Sequence, residues 1–380
     1  MFQTFCLGFQ SGGFQLTLLR IAGEFGISAG AVGVFVAIQF SAVIVFPLAL
    51  GWLSDRIGKK IVLLFFSGLC VLSCILIISL PFVYAFAAGI FLLGAGLALC
   101  ESNSGAAIAD AFPGKQEKYM NYVQAFFCLG ATVGPLISDR MMGMGYTWRV
   151  VFVMTGAVYA LAFIQYLFAK FDNPAEQTEE QTKSANGKPP YNLLLKPVFM
   201  CLIIAITVYV AVETGVAFFL DYLFTDLFNA PQLSAAAIAM FWLSMMISRF
   251  IFGIFGKNGK TVTVYAFLLI TGFILVITLM QSPAAALVCC FIIGFVHGPV
   301  WPNIVGLASR EYPAYTGLAA GAMSAGSGLG GAMSPVFMGL LADRFNITTS
   351  FVVFAFVSVI GFAVMVGYMR LVKRDSTQVD

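Results

Sequence analysis

Apolar runs long enough to cross a lipid bilayer recur along nearly the whole sequence, and they constrain its fold more than any other feature. A spanning helix needs roughly 20 apolar residues, whereas a membrane β-strand is about ten residues of alternating polarity. The runs here are continuous, which predicts helices. Charged residues make up 10% of the chain, against about 25% in a typical soluble domain, and the mean hydropathy is +0.95. The chain is therefore predicted to be an all-α, multi-pass membrane protein.

Proline, glycine and charged residues divide the chain into twelve predicted transmembrane helices. Their approximate bounds are 1–22, 29–53, 61–80, 83–109, 117–138, 149–169, 197–225, 234–256, 262–280, 284–308, 316–342 and 348–371. One long polar connection follows the sixth span and has the composition of a solvated linker. We therefore predict an N-terminal six-helix bundle over 1–171, a cytoplasmic linker over 172–192 and a C-terminal six-helix bundle over 193–380.

The positive charges indicate an orientation. Most of the 20 Lys and Arg residues fall on the side of the 51–60 loop, and only Arg20, Arg140, Arg149 and Arg344 fall on the other side. Positive charge accumulates on the cytoplasmic face of membrane proteins, so both termini are predicted to be cytoplasmic, with a bacterial inner membrane as the location. No charged residue precedes Arg20 in the first span, so we expect the natural start to lie upstream of Met1.

The two halves of the chain resemble each other at a spacing of 200 residues. The matching pairs are Gly94 with Gly294, Asn103 with Asn303, Phe112-Pro113 with Tyr312-Pro313, Leu129-Gly130 with Leu329-Gly330, and Pro135 with Pro335. Spans four and five thus correspond to spans ten and eleven. Two parallel six-helix repeats around a central site are the architecture of transporters that work by alternating access.

A glycine-rich, charged loop follows the second span, with the sequence Gly51-Trp52-Leu53-Ser54-Asp55-Arg56-Ile57-Gly58-Lys59-Lys60. It resembles the signature loop of the major facilitator superfamily, which implies the fold of that superfamily. The resemblance makes Gly51, Asp55, Arg56, Gly58 and Lys59 candidate residues of a conformational switch, in which the aspartate holds one state closed. The alternative is a loop that only fixes the topology.

Motifs in four spans resemble the fucose–proton symporter group of that superfamily. They are Gly94-Ala95-Gly96 with Cys100-Glu101-Ser102-Asn103, Asn121 to Phe126 with Gly130 and Gly134-Pro135, Tyr209 to Gly215, and Pro302-Asn303. The resemblance implies sugar–proton symport. The pattern of that group also includes an aspartate in the first helix, but here its place falls near Gln15, which cannot exchange a proton. Coupling through two acids therefore stays open, with facilitated transport as an alternative.

Two polar residues inside spans four and five are the leading candidates for a substrate and proton site. A carboxylate inside a span costs roughly 3 kcal/mol, so Glu101 is expected to face a cavity or a partner. A structural hydrogen bond to a neighbouring helix is the alternative. Gln124 offers donors and an acceptor for sugar hydroxyls, with helix–helix contact as its alternative, and Asn121 lies three residues earlier on the same helix face.

Further candidates come from the first, fourth, seventh and tenth spans: Gln15, Asn103, Glu213, His297, Trp301 and Asn303. Glu213 is the one acid deep in span seven, and it is expected to line the cavity, to titrate, or to form a gate pair. His297 is the sole histidine and has the chemistry of a proton relay, or of a packed polar group. Trp301 could stack on a sugar or simply pack. Asp221 and Asp226 are expected to be solvated.

These observations predict a secondary active transporter that moves a small polar solute, expected to be a sugar, by alternating access with proton-coupled import. The alternative is a proton-coupled drug or metabolite efflux antiporter of the same superfamily. Such antiporters resemble one another in carrying an arginine in the fourth span, where this chain has Glu101 and no arginine. A sensor is disfavoured because the longest polar stretch is the 172–192 linker, and an enzyme because no cluster of His, Cys and acids exists in the sequence.

The expected partners are the solute, protons and the lipid bilayer, and the protein is expected to be a monomer. No cofactor, metal ion or nucleic acid is expected. The 8 cysteines all lie in apolar runs without metal-ligand spacing, which favours a packing role. The net charge of +3 comes without a basic patch of the kind that binds nucleic acid.

Overall fold

Every predicted span is helical in the computed structural model of this protein, which describes residues 1–28, 30–50, 57–111, 116–169, 194–255, 258–311 and 316–376. The helices are α1 (Phe2–Phe25), α2 (Gly33–Leu50), α3 (Lys59–Ser79), α4 (Val83–Ala111), α5 (Gln116–Gly143), α6 (Arg149–Phe168), α7 (Pro197–Asp226), α8 (Ser234–Phe255), α9 (Gly259–Leu279), α10 (Pro283–His297), α11 (Val300–Glu311), α12 (Thr316–Arg344) and α13 (Ile347–Ser376). A 3-10 turn, Pro231–Leu233, precedes α8. The predicted all-α architecture is confirmed.

The surface of the bundle suits lipid. In the described residues, 9 helices or helix pairs are long and apolar enough to cross a membrane. Large apolar side chains point outward from them, and Phe65 on α3 and Leu279 on α9 are 64% and 81% exposed. By contrast, α1 carries Gln3, Gln10 and Gln15, and all three are buried within the protein. Polar side chains in a membrane face protein neighbours, so α1 belongs to the interior of the bundle.

The tenth predicted span is not one continuous helix. It consists of α10, which ends at His297, and α11, which begins at Val300. Pro299 lies at the break, and proline both lacks a backbone donor and clashes with the preceding helical turn. The predicted span over 284–308 thus corresponds to two helices, which together are long and apolar enough to cross a membrane.

The similarity at a spacing of 200 residues also holds for the positions at which helices begin. Helices α3, α4 and α5 begin at residues 59, 83 and 116, and α9, α10 and α12 begin at residues 259, 283 and 316. The residues that precede α3 and α9 also match, because Gly58 has a φ of 90° and Asn258 a φ of 58°. Glycine and asparagine are the residues that adopt this left-handed conformation most readily. The chain therefore consists of two six-span repeats, and the predicted domain limits 1–171, 172–192 and 193–380 stay predictions because the linker lies outside the described residues.

Glycines permit close contact at equivalent places in both repeats. A Cβ at Gly130 on α5 would overlap the Phe5 carbonyl on α1, and a Cβ at Gly330 on α12 would overlap the Thr207 carbonyl on α7. Helices in lipid associate through such backbone-close contacts, because the apolar effect that drives packing in water is missing between them. These glycines therefore determine how α1 lies on α5 and how α7 lies on α12.

The two repeats meet along two helix pairs, α2 with α12 and α5 with α8. In the first pair, Gly331 packs on the ring of Phe40, and in the second, Gly253 packs on the side chain of Asn121. Helix α1 also touches α7 and α8. The interior faces of α4, α7 and α10 lie behind these contacts, and the candidate site is built there.

We expect Gly130→Ala to lower the stability of the folded protein by about 1–3 kcal/mol, because the added methyl group overlaps backbone atoms that cannot move independently. Gly272→Ala on α9 is the matched control, since nothing lies within 4 Å of a Cβ at that position. Thermal unfolding in detergent measures both changes. Equal melting temperatures for the two variants would contradict the proposed packing role of Gly130.

Candidate functional site

A buried arginine lies where the two repeats meet. Arg249 on α8 is 4% exposed. Its Nη1 atom donates to the Gln124 carbonyl at 3.2 Å and contacts the Cys128 Sγ at 3.1 Å, both on α5. Its Nε atom donates to the Gly298 carbonyl at 3.3 Å, at the break between α10 and α11. The guanidinium thus joins one helix of the first repeat to two elements of the second.

Two carboxylates lie within the electrostatic field of the Arg249 guanidinium. Arg249 interacts electrostatically with Glu101 on α4 and with Glu213 on α7. The Glu101 Oε1 atom also accepts a hydrogen bond of 3.0 Å from the Gln124 Nε2 atom. Both glutamates keep part of their surface accessible although they lie within helical spans, so the space beside them is the candidate cavity of the site. The guanidinium thus acts on both carboxylates through its electrostatic field, while its hydrogen bonds go to the Gln124 and Gly298 carbonyls.

Glu213 belongs to a further polar group on the second repeat. The Tyr209 hydroxyl lies 2.8 Å from the Glu213 Oε1 atom and 3.1 Å from the His297 carbonyl. The His297 Nδ1 atom lies 2.8 Å from the Ile293 carbonyl, one turn earlier on α10. Its Nε2 atom is buried and has no hydrogen-bond partner among the described residues. His297 is therefore held by its own helix and packs against the Tyr209 ring.

Gln15 lies at a contact between the repeats. Its Oε1 atom accepts a hydrogen bond of 3.0 Å from the Trp242 Nε1 atom on α8, and both side chains are buried. The neighbouring Phe14 packs edge-on against Phe218 of α7 at 5.8 Å between ring centres. Gln15 stands near the place where the fucose–proton symporter group has an aspartate. Its neutral hydrogen bond joins α1 to the second repeat.

The remaining candidates lie around this cluster in different ways. The Asn103 amide donates to the Leu99 carbonyl at 2.8 Å, and the Asn303 amide donates to the Gly259 carbonyl at 3.4 Å, so both bind backbone. Asn121 packs against Gly253 across the α5–α8 contact. Trp301 is half-buried against apolar neighbours of the second repeat.

Part of the predicted switch loop can be described. Gly51, Asp55 and Arg56 lie outside the described residues. Gly58 precedes α3 with a φ of 90°, and Lys59 is the first residue of that helix. A side chain at Gly58 would be strained in this conformation, so the second glycine of the loop has a backbone role.

Two expectations from the sequence are corrected by burial. Arg249 was counted among the cytoplasmic charges, but it lies inside the protein. The sequence did hold a signal for this burial, because Arg249 falls within the predicted span 234–256. A charged residue inside a span is a candidate functional residue, and the same rule selected Glu101. Asp221 was expected to be solvated, but it is 4% exposed, with its Oδ2 atom lacking a hydrogen-bond partner in the described residues, because the start of α8 at Ser234 covers it.

The repeats are joined on both sides of this candidate cavity. Toward the end of α7, Phe14 and Phe218 join α1 to α7, and Gln15 joins α1 to α8. Toward the end of α8, Tyr122 on α5 packs against Phe250 on α8 at 5.6 Å between ring centres.

Comparison with known proteins identifies the family. The model of the Major Facilitator Superfamily matches residues 1–334. The chain belongs to the major facilitator superfamily. It is therefore an integral, multi-pass membrane transporter and not an enzyme, and the predicted fold is confirmed.

This facilitator is similar in sequence to one relative and in fold to two solved structures of other proteins. A Helicobacter pylori protein provisionally designated a glucose/galactose transporter is 25% identical over 295 residues, which cover 71% of this chain and 69% of that protein. The human organic anion transporter MFSD10 superposes with a TM-score of 0.72 at 17% identity, over 96% of this chain and 98% of that one. The Escherichia coli fucose–proton symporter FucP superposes with a TM-score of 0.63 at 16% identity, over 97% and 98%. At these identities the two structures establish the fold alone.

For this facilitator we expect Arg249→Met to destabilise the fold by about 1–3 kcal/mol, because it leaves the buried Gln124 and Gly298 carbonyls without their donor and removes the positive charge near the two glutamates. The triple change Arg249→Met with Glu101→Gln and Glu213→Gln is expected to recover part of that loss. Arg344→Met is the control, since Arg344 is exposed. Melting temperatures in detergent test this, and a triple variant less stable than Arg249→Met would show that the three charges do not support one another.

Proposed function

We propose that this facilitator imports a sugar together with a proton by alternating access. The observation that carries the proposal is the cluster of Glu101, Gln124, Arg249 and Glu213 at the junction of the two repeats. Its members come from both repeats, so any rocking of one repeat against the other changes their contacts. A central site of this kind is where transporters of two repeats bind their solute.

The charges of the cluster support proton coupling. With both acids ionised, two carboxylates and one guanidinium sum to one net negative charge. Burying an uncompensated charge costs several kcal/mol, so a closed cavity favours a neutral cluster. One proton on either Glu101 or Glu213 supplies that neutrality. Glu213 thereby provides a second acid from the second repeat, in place of the first-span acid that the chain lacks near Gln15.

The polar groups around the cavity suit a sugar. A sugar presents several hydroxyls, each both a donor and an acceptor, and its binding needs a few convergent polar groups. The Gln124 amide and the two carboxylates supply them, and the buried Tyr209 hydroxyl positions Glu213. The provisional designation of the Helicobacter pylori relative supports a hexose as the solute. The half-buried ring of Trp301 could cover an apolar sugar face.

The orientation of the protein in the membrane and its location are proposed from the distribution of basic residues. Because the basic residues concentrate on the side of the 51–60 loop, that side is proposed to be the cytoplasm of a bacterial cell, with both termini there. We propose that the protein acts as a monomer, since the site is complete within one chain.

Efflux of a drug or organic anion is the alternative function. MFSD10 transports organic anions by its name, but its similarity extends to the fold alone. An anionic solute would need a free cation in the cavity, and Arg249 already interacts with two carboxylates. The cluster therefore favours a neutral polar solute over an anion.

Glu101→Gln is expected to abolish pH-driven accumulation of the sugar in vesicles while leaving exchange of sugar across the membrane measurable. The amide keeps a hydrogen-bonding group toward Gln124 but cannot carry a proton. Asp226→Asn, an exposed position at the end of α7, is the matched control. Undiminished accumulation by Glu101→Gln at an imposed proton gradient would refute its coupling role.

Glucose, galactose or fucose is expected to raise the melting temperature of the purified protein, since a ligand at 100 times its Kd stabilises by about 2.7 kcal/mol. Gln124→Leu should remove the shift, and Gln232→Leu, at an exposed site before α8, should retain it. A panel of organic anions and cationic dyes is measured alongside. A shift with those compounds and none with sugars would favour the efflux alternative.

A further inference from the structure

One carboxylate joins the two repeats at the end of the molecule where α12 finishes. Asp343, in the last turn of α12, accepts a hydrogen bond from the Ser28 hydroxyl through Oδ2 and one of 3.0 Å from the Gly30 amide through Oδ1. Ser28 and Gly30 belong to the turn between α1 and α2. Both oxygens of one second-repeat side chain thus bind the first repeat, and charge-assisted hydrogen bonds of this type are the stronger ones.

Beneath this contact, the backbone of α12 lies in close contact with the backbone at the start of α2. A Cβ at Gly30 would overlap the Gly339 carbonyl, and a Cβ at Gly339 would overlap the Gly30 carbonyl. One turn deeper, a Cβ at Gly33 would overlap the Pro335 carbonyl. The contact therefore exists only while the last turns of α12 lie directly against the start of α2. Separation of the repeats at this end must break it.

The sequence around Asp343 repeats that of the signature loop. The segment Gly339-Leu340-Leu341-Ala342-Asp343-Arg344 matches Gly51-Trp52-Leu53-Ser54-Asp55-Arg56, with the glycine, a leucine and the Asp-Arg pair at the same spacing. The first segment ends α12 and the second follows α2. These two helices pack against each other and run in opposite directions, since the end of α12 meets the start of α2. The Asp-Arg pair that ends α12 therefore has a counterpart in the sequence that follows α2.

We propose that Asp343 is a latch that holds the repeats together at this end, and that its release permits the cavity to open there. Alternating access requires that one end open while the other is closed, and a contact that must break when the repeats separate at one end contributes to that alternation. The latch concerns the conformational cycle of the family and does not depend on the identity of the solute.

Cysteine labelling tests the latch without a substrate. Phe218→Cys places a thiol at the α1–α7 contact toward this end, where the side chain is 5% exposed. In vesicles treated with a membrane-impermeant maleimide from the Asp343 side, we expect Asp343→Ala to raise the labelling rate of this thiol by about fivefold or more, the usual scale of coupling between conformational states. Asp226→Ala, an exposed acid at the same end, is the control and should leave the rate unchanged.

A double-mutant cycle separates the latch from a general loosening. Ser28→Ala removes one donor to Asp343 and is expected to raise labelling less than Asp343→Ala does. The double variant should match Asp343→Ala, because both changes remove one contact. Independent, multiplicative effects of the two changes, or labelling by Asp343→Ala equal to that of Asp226→Ala, would overturn the proposal. Melting temperatures near that of the parent protein establish that the variants are folded.

Discussion

Hydrocarbon offers no hydrogen-bond partner to a polypeptide, and the whole structure depends on this constraint. Each backbone donor and acceptor within the bilayer must be satisfied inside its own helix, so the chain forms a bundle of helices. Because apolar side chains pack as well against lipid as against one another, the helices need another reason to associate. Glycines supply one by letting backbones touch, at Gly130 and Gly330 within the repeats and at Gly30 and Gly339 between them.

The same constraint explains why three interior charges lie near one another at the junction of the repeats. An isolated ion in the bundle would be costly, and Arg249 lies in the field of Glu101 and Glu213 while donating to carbonyls on both repeats. The break before α11 contributes directly, since the Gly298 carbonyl that Arg249 binds lies at the break between α10 and α11. The polar cluster therefore depends on the irregular backbone between α10 and α11 for one of its hydrogen bonds.

The helix pairs between the repeats connect this centre to the two ends of the protein. Helix α8 carries Arg249 and also Trp242, which binds Gln15 of the first repeat. Helix α5 carries Gln124, which binds both Glu101 and Arg249. A change in the angle between α5 and α8 must alter the contacts of the cluster, so events at the centre and closure at the ends are mechanically linked.

The sequence by itself determined the helical class, the bounds of most helices, the repeat and the superfamily, since each depends on local hydrophobicity or on short motifs that need no knowledge of neighbours. It also selected Glu101, Gln124 and Glu213, because an ionisable or amide group in an apolar run stands out. Only the tertiary structure decided which groups meet. Arg249 was counted with the cytoplasmic charges and Asp221 was expected to be solvated, but neighbouring helices bury both. The contact of Asp343 with Ser28 joins residues 315 positions apart, and such pairing depends on how helices pack, which no local pattern encodes.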